Sequence, residues 1–199
     1  GEGVLDVPIN GFAVAAPEID VAPLILDFGN TNLGEIKSQT IQISNNGSII
    51  LDVVANGFEG RHENQFAFGT TIPDFIQAGD TESIELNFLP NSAGTKTGTY
   101  LVISSDLDEF PAEVTLTGTG VPVASILAAP APHDFGVVTV GSTASEVITV
   151  RNVGTAELQV QSPTLNGSNA SEFAIGGNPG SFSLGFGESQ TFESLWRVS

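Results

Sequence analysis

Apolar and polar residues alternate along most of this chain. In "QTIQIS", Ile41 and Ile43 face one way while Thr40, Gln42 and Ser44 face the other, and "EVITVRN" repeats the arrangement with Ile148 and Val150. Successive side chains of a strand point to opposite faces, so a period of two marks a strand with one buried side. The same period runs through Ile84, Leu86 and Phe88 in "SIELNF" and through Val114 and Leu116 in "AEVTLTG". Between these runs stand "NNG", "AGD", "NSAG" and "SSDLDEFP", each rich in residues that turns require. No amphipathic window of helical period and useful length interrupts them. The pattern predicts strands at 18–22, 24–28, 38–46, 49–55, 65–69, 72–76, 81–89, 97–105 and 110–118. Short strands at this spacing, each half apolar, pack as two antiparallel sheets face to face.

The pattern also returns on itself. "LDFGNTNLGE" at 26–35 is echoed by "HDFGVVTVGS" at 133–142, and Phe28 and Phe135 lie 135 − 28 = 107 positions apart. Gly34 and Gly141, Asn45 and Asn152, and Phe66 and Phe173 keep the same offset; then the second copy gains one residue and Phe88 meets Trp196 at 108. That period exceeds the roughly 20–50 residues of a solenoid unit. It matches one autonomous domain. Carried backwards, the offset puts Ile9 on Leu116 and Gly11 on Gly118, so residues 1–16 read as the terminal strand of a preceding repeat or as a donor strand. Residues 17–120 form a complete domain, and 121–199 a second that stops before the counterparts of "TGTYLVISS" and "FPAEVTLTGTG". The short join after "TGTG" is expected to couple neighbouring domains stiffly.

"PEIDVAPLILDFGNTNLGE", "TIQISNNGSIILDVVA", "FAFG", "IQAGDTESIELNFLPNSAGTKTGTYLVISSD" and the closing "VTLTGTGV", taken in order, resemble the bacterial ASH-type (ASPM, SPD-2, Hydin) immunoglobulin-like repeats, also described as choice-of-anchor D domains. The resemblance covers 17–120 fully and 121–199 in part. It implies an all-β fold of tandem immunoglobulin-like β-sandwich domains, found in large secreted or surface-attached proteins, with no catalytic motif. The repeated letters have structural causes of their own. In "DFG" the Phe anchors a strand in the core, and the following Gly permits a backbone position that a side chain would block. "AGD" and "FGE" are tight turns ahead of strands and not phosphate loops, because no helix follows to hold an anion.

Composition and charge narrow the setting. The chain has 199 residues, 40% of them hydrophobic, enough for compact cores, and no cysteine, which excludes disulfide staples. No apolar run approaches the roughly 18 residues of a membrane-spanning helix, so no membrane insertion is expected. Five basic residues against 23 acidic ones leave a formal charge of −18. Lys37, Arg61, Lys96, Arg151 and Arg197 are scattered. Nucleic acid would be repelled by such a surface; the excess acid serves solubility, or attracts cations or a cationic partner.

Candidate chemistry is sparse. His62 and His133 lie in different domains without the spacing of a zinc site, and there is no GxSxG elbow. Both are expected at exposed loops or strand edges. Asp106, Asp108 and Glu109 put three carboxylates in one interstrand turn, hard oxygen ligands of the kind calcium takes; the alternative is a turn that Asp106 caps while the other two are solvated. Asn46, Asn166 and Asn169 match the N-glycosylation pattern. The expectation is therefore a non-enzymatic structural or adhesive module of a bacterial surface protein, extracellular or at the cell surface. It would act as a stalk, spacer or fibre-forming unit, assembling by strand exchange with further copies of the same chain or neighbouring repeats, and without a cofactor beyond calcium. The alternative is a ligand- or carbohydrate-binding accessory domain of a larger secreted enzyme. A carbohydrate platform needs exposed aromatic rings, and the single Tyr100 and Trp196 both fall inside strand patterns.

Overall fold

The computed structural model describes residues 3–4, 6–177 and 179–197. Gly1, Glu2 and Leu5 of the expected terminal strand, and Asn178, Val198 and Ser199 of the second domain, lie outside the described residues. The chain divides into two compact units, Gly1–Gly120 and Val121–Ser199.

Nine strands build the first unit: β1 (Ile19–Ala22), β2 (Ile25–Asn32), β3 (Lys37–Asn45), β4 (Leu51–Glu59), β5 (Phe66–Phe68), β6 (Phe75–Ile76), β7 (Thr81–Phe88), β8 (Gly94–Ser104) and β9 (Ala112–Val121). Each corresponds to one strand expected from the alternation. They assemble as a four-stranded sheet ordered β1-β3-β7-β5 and a five-stranded sheet ordered β2-β9-β8-β4-β6. The β3–β7 register sets Ile41 opposite Ile84, and the β8–β9 register sets Tyr100 opposite Val114. Along β7 the last five residues alternate buried and half-buried, ending on Phe88. The inward faces of both sheets meet in one apolar cluster to which every strand contributes, from Ile19 and Val21 to Val114 and Leu116. The unit is a β-sandwich.

Phe28 is fully buried at the centre of β2, and Gly29 after it has φ +61°, in the left-handed region that glycine adopts without a Cβ penalty. Gly136 after Phe135 has φ +67°. The DFG motif thus has one local shape in both units.

The second unit holds β10 (Ile126–Ala129), β11 (Thr143–Asn152), β12 (Leu158–Val160), β13 (Phe173–Gly176), β14 (Phe182–Leu184) and β15 (Ser189–Arg197). The sheet β10-β11-β15-β13 repeats the order of β1-β3-β7-β5, and β12 pairs with β14 as β4 pairs with β6. Residues 132–139, the counterpart of β2, are in no strand. In the first unit β2 is held by β9, and the described residues of the second unit contain no equivalent of β9. The consequence is a thinner core, in which Val150 and Leu184 are the buried apolar side chains. Two short 3₁₀ turns, Glu63–Gln65 and Ala170–Glu172, precede β5 and β13 at equivalent places; nothing in the apolar period announces them. No helix among the described residues is long and apolar enough to cross a membrane.

Candidate functional site

The acidic turn lies between β8 and β9. Asp106, 2% exposed, is the innermost of its three carboxylates, and its Oδ2 accepts the Ile19 N–H at 2.8 Å. Ile19 opens β1 in the four-stranded sheet, whereas Asp106 follows β8 in the five-stranded one. The carboxylate therefore ties the two sheets together at one end. Its own N–H donates to Ser104 Oγ at 3.2 Å.

That contact brings in a residue the turn does not contain. Glu18, Asp106 and Glu109 each offer a carboxylate oxygen, and the three oxygens lie within 4.8 Å of one another; Asp108 stands outside the trio. Glu18 was invisible to a reading of the local sequence, because only the β1 pairing carries it to the turn. Glu18 and Glu109 also line a cleft of about 500 Å³ with Asp20 and Glu113. Burial by itself would raise the Asp106 carboxyl, but the Ile19 and Asp108 N–H groups and the side chains of Asp108 and Glu109 outweigh it and hold Asp106 below the ordinary aspartate range. Asp108 is pushed up by its side-chain hydrogen bond to Asp106 and by that group's charge. Glu109 is pushed up by partial desolvation and by the charges of Asp108, Asp106 and Glu18. Chemically the cluster can share protons or face a hard cation, with Asp106 already committed to the backbone.

The histidines are placed apart. His62 Nδ1 accepts the Thr97 N–H of β8 at 3.1 Å, and His133 Nε2 lies 3.7 Å from Glu146 Oε2. Asn46, Asn166 and Asn169 are exposed.

A second candidate is aromatic. Phe28, Phe66 and Phe88 form a triangle with ring centroids 5.8, 5.6 and 5.2 Å apart. Their counterparts Phe135, Phe173 and Trp196 form the same triangle at 6.2, 6.1 and 6.1 Å, with the Phe173 and Trp196 rings stacked at 18° as Phe66 and Phe88 are at 28°. The first triangle is sealed: Phe28 and Phe88 are 0% exposed and Phe66 5%. The second is half-buried and lines an open groove of about 200 Å³, edged by His133 and Asp134.

No protein-family model matches the chain, and no curated protein matches it. Some solved structures are distantly similar to it. A PapD-like (ASH) domain of human CEP192 is 16% identical with a TM-score of 0.42, covering 61% of this chain and 97% of that one. A protein of unknown function from Porphyromonas gingivalis W83 is 15% identical with a TM-score of 0.39, covering 90% and 83%. The CsuC–CsuE chaperone–tip adhesion subunit complex of Acinetobacter baumannii pili is 10% identical with a TM-score of 0.35, covering 88% and 89%. Similarities this distant bear on no function. The fold itself is an all-β sandwich on the strength of its own strands and sheets.

Proposed function

We propose that this chain is a non-enzymatic structural or adhesive module, acting at the cell surface as a stalk, spacer or fibre-forming unit whose partners are proteins, further copies of its own kind among them. The observation that carries the reading is what the two units have in common. They repeat an aromatic triangle, a left-handed glycine after the first ring, and a buried Asn whose bonds close the loops around it (Asn45 and Asn152). Every one of these repeated features packs or ties the sandwich, so what the chain duplicates is a scaffold. A net charge of −18 keeps such a scaffold soluble and away from anionic polymers.

The reading is tested on intact source cells with an antibody against the chain, followed by deletion of its gene. Labelling of unpermeabilised cells, its removal by external protease, and weakened attachment to surfaces or neighbouring cells are expected. Label that appears only after permeabilisation would sink it.

A further inference from the structure

What the two units repeat is a scaffold, and one place in the first unit departs from it. Phe68 closes β5 and is 41% exposed, whereas the residue 107 positions further on is Ile175. Phe58 of β4 packs on the Phe68 ring with centroids 4.7 Å apart, and Tyr100 of β8 meets it edge to face at 5.9 Å and 79°. Tyr100 is fully buried and Phe58 packs against the core. The ring is therefore held in place by the sandwich before anything meets its exposed side.

Phe68 lines a cleft of about 510 Å³ with Asn56, Gly69, Thr70, Thr71 and Ile72, a size within the roughly 300–1,000 Å³ of small-ligand sites. Asn56 belongs to β4 and the others to β5 and the segment after it, so the cleft runs between an edge of each sheet. It stays open because β6, the outer neighbour of β4, pairs only with Leu51 and Asp52. Thr70 Oγ1 accepts the Glu85 N–H at 2.9 Å, which ties the segment to β7 and leaves the exposed Asn56 amide and Thr71 hydroxyl to meet a ligand. No lining residue carries a charge, although the chain as a whole carries −18.

We infer that this cleft binds a neutral saccharide, with one sugar ring stacked on Phe68 and its hydroxyls bonded to Asn56 and Thr71. This deepens the adhesive part of the proposed function by giving it a ligand, and rests on that reading for its biological use. A pyranose presents C–H groups on a face and hydroxyls around its rim. The C–H face suits an aromatic ring, whose quadrupole places negative charge above its plane. A side-chain amide both donates and accepts, which suits two neighbouring hydroxyls, and the threonine hydroxyl does the same for one. An anionic ligand would meet a protein of its own sign, and a cationic one would find no carboxylate in the lining. A wholly apolar ligand would leave the amide and the hydroxyl unpaired.

The experiment titrates the full, isotope-labelled chain with three neutral probes, cellotetraose, xylotetraose and N-acetylated chitotetraose, and follows backbone amide shifts by NMR. Saturable shifts at Asn56 and at residues 69–72 with at least one probe are expected. Asn56→Ala and Thr71→Val should each weaken that probe about three- to tenfold, the range of a net hydrogen bond. Phe68→Leu, which keeps an apolar side chain but removes the ring, should weaken it about tenfold. Tetragalacturonate, with a carboxylate on every sugar, should bind more weakly than the neutral probes. No shift with any of the three at about 10 mM, where even a millimolar complex is mostly formed, overturns the inference. So do shifts confined to other residues, affinity indifferent to Phe68→Leu or Thr71→Val, and tetragalacturonate bound as tightly as the best neutral probe. Should Phe68→Leu unfold the unit, Thr71→Val, at an exposed position, still decides. None of these outcomes bears on surface location, which the antibody labelling settles separately.

Discussion

Asn45 and Asn152, 107 positions apart, make three equivalent hydrogen bonds in their respective units, to which Asn45 adds one by accepting the Glu18 N–H at 3.3 Å. Asn45 Nδ2 donates to the Ile49 and Ile76 carbonyls at 2.8 and 3.0 Å, and its Oδ1 accepts the Gly47 N–H at 3.0 Å. Asn152 Nδ2 donates to the Ala156 and Leu184 carbonyls at 2.7 and 2.9 Å, and its Oδ1 accepts the Gly154 N–H at 2.9 Å. Both side chains are fully buried. Each holds the loop that follows its own strand and the end of a strand in the opposite sheet.

Removing that amide orphans several buried backbone groups at once. Asn45→Ala is expected to destabilise the first unit by about 3 kcal/mol or more, since each unsatisfied group costs roughly 1–3 kcal/mol. Urea unfolding followed at Tyr100 reads the change. A midpoint within error of the parent would show that the loops close without the amide.

The triangles predict unequal costs for equivalent truncations. Phe28 is fully buried and Phe135 half-buried, so Phe28→Ala should cost about 3–5 kcal/mol and Phe135→Ala distinctly less. Equal shifts, which the repeat taken alone would suggest, would mean that the second triangle is sealed in solution.

Gly118→Val drives side-chain atoms into the Phe88 ring, because even a Cβ would lie 2.6 Å from it. A loss of about 1–3 kcal/mol is expected from such overpacking. Gly79→Val is a poor control, since its φ of +87° strains any side chain; Gly57→Val, with open space around its Cβ and no positive φ, is the right one and should change stability little.

The acidic turn predicts two opposite dependences on pH. The Asp106 carboxyl sits below its ordinary range, so its contribution is present above that range and is lost as pH falls through the lowered value. Asp106→Ala should therefore cost about 1–3 kcal/mol near neutrality, by leaving the Ile19 N–H unpaired, and progressively less in strong acid. Glu109 is raised, so the folded state holds its proton more tightly and loses stability as pH rises through that range. Glu109→Gln should raise the melting temperature near neutrality and leave it unchanged in acid. A rise that persists in acid would mean that charge is not the cause.

Much of the first unit was legible because each strand has one face in the core, and burial on one face writes itself as alternation. Ile41 and Ile43, Ile84 and Leu86, and Val114 and Leu116 all carry it. Lateral order was not legible: nothing in "LDFGNTN" says that its neighbour is the last strand, because that pairing is fixed by contacts across most of the unit. The same limit hid Glu18 from the acidic turn. The repeat offset transmitted the aromatic triangle and the Asn bonds faithfully. It could not transmit β2 to residues 132–139, since a strand depends on its partner as well as on its own letters.

The position of β9 has a consequence for synthesis. Leu24 accepts the Thr115 N–H at 2.9 Å, so the first strand of the five-stranded sheet waits for the last before its edge is covered. A chain emerging from the ribosome amino end first leaves that edge and the apolar faces of β2 and β8 open until β9 is out, and pairings this distant in sequence form slowly. In a protein whose neighbouring domains carry the same strand patterns, the nearest competitor for the open lane is another repeat.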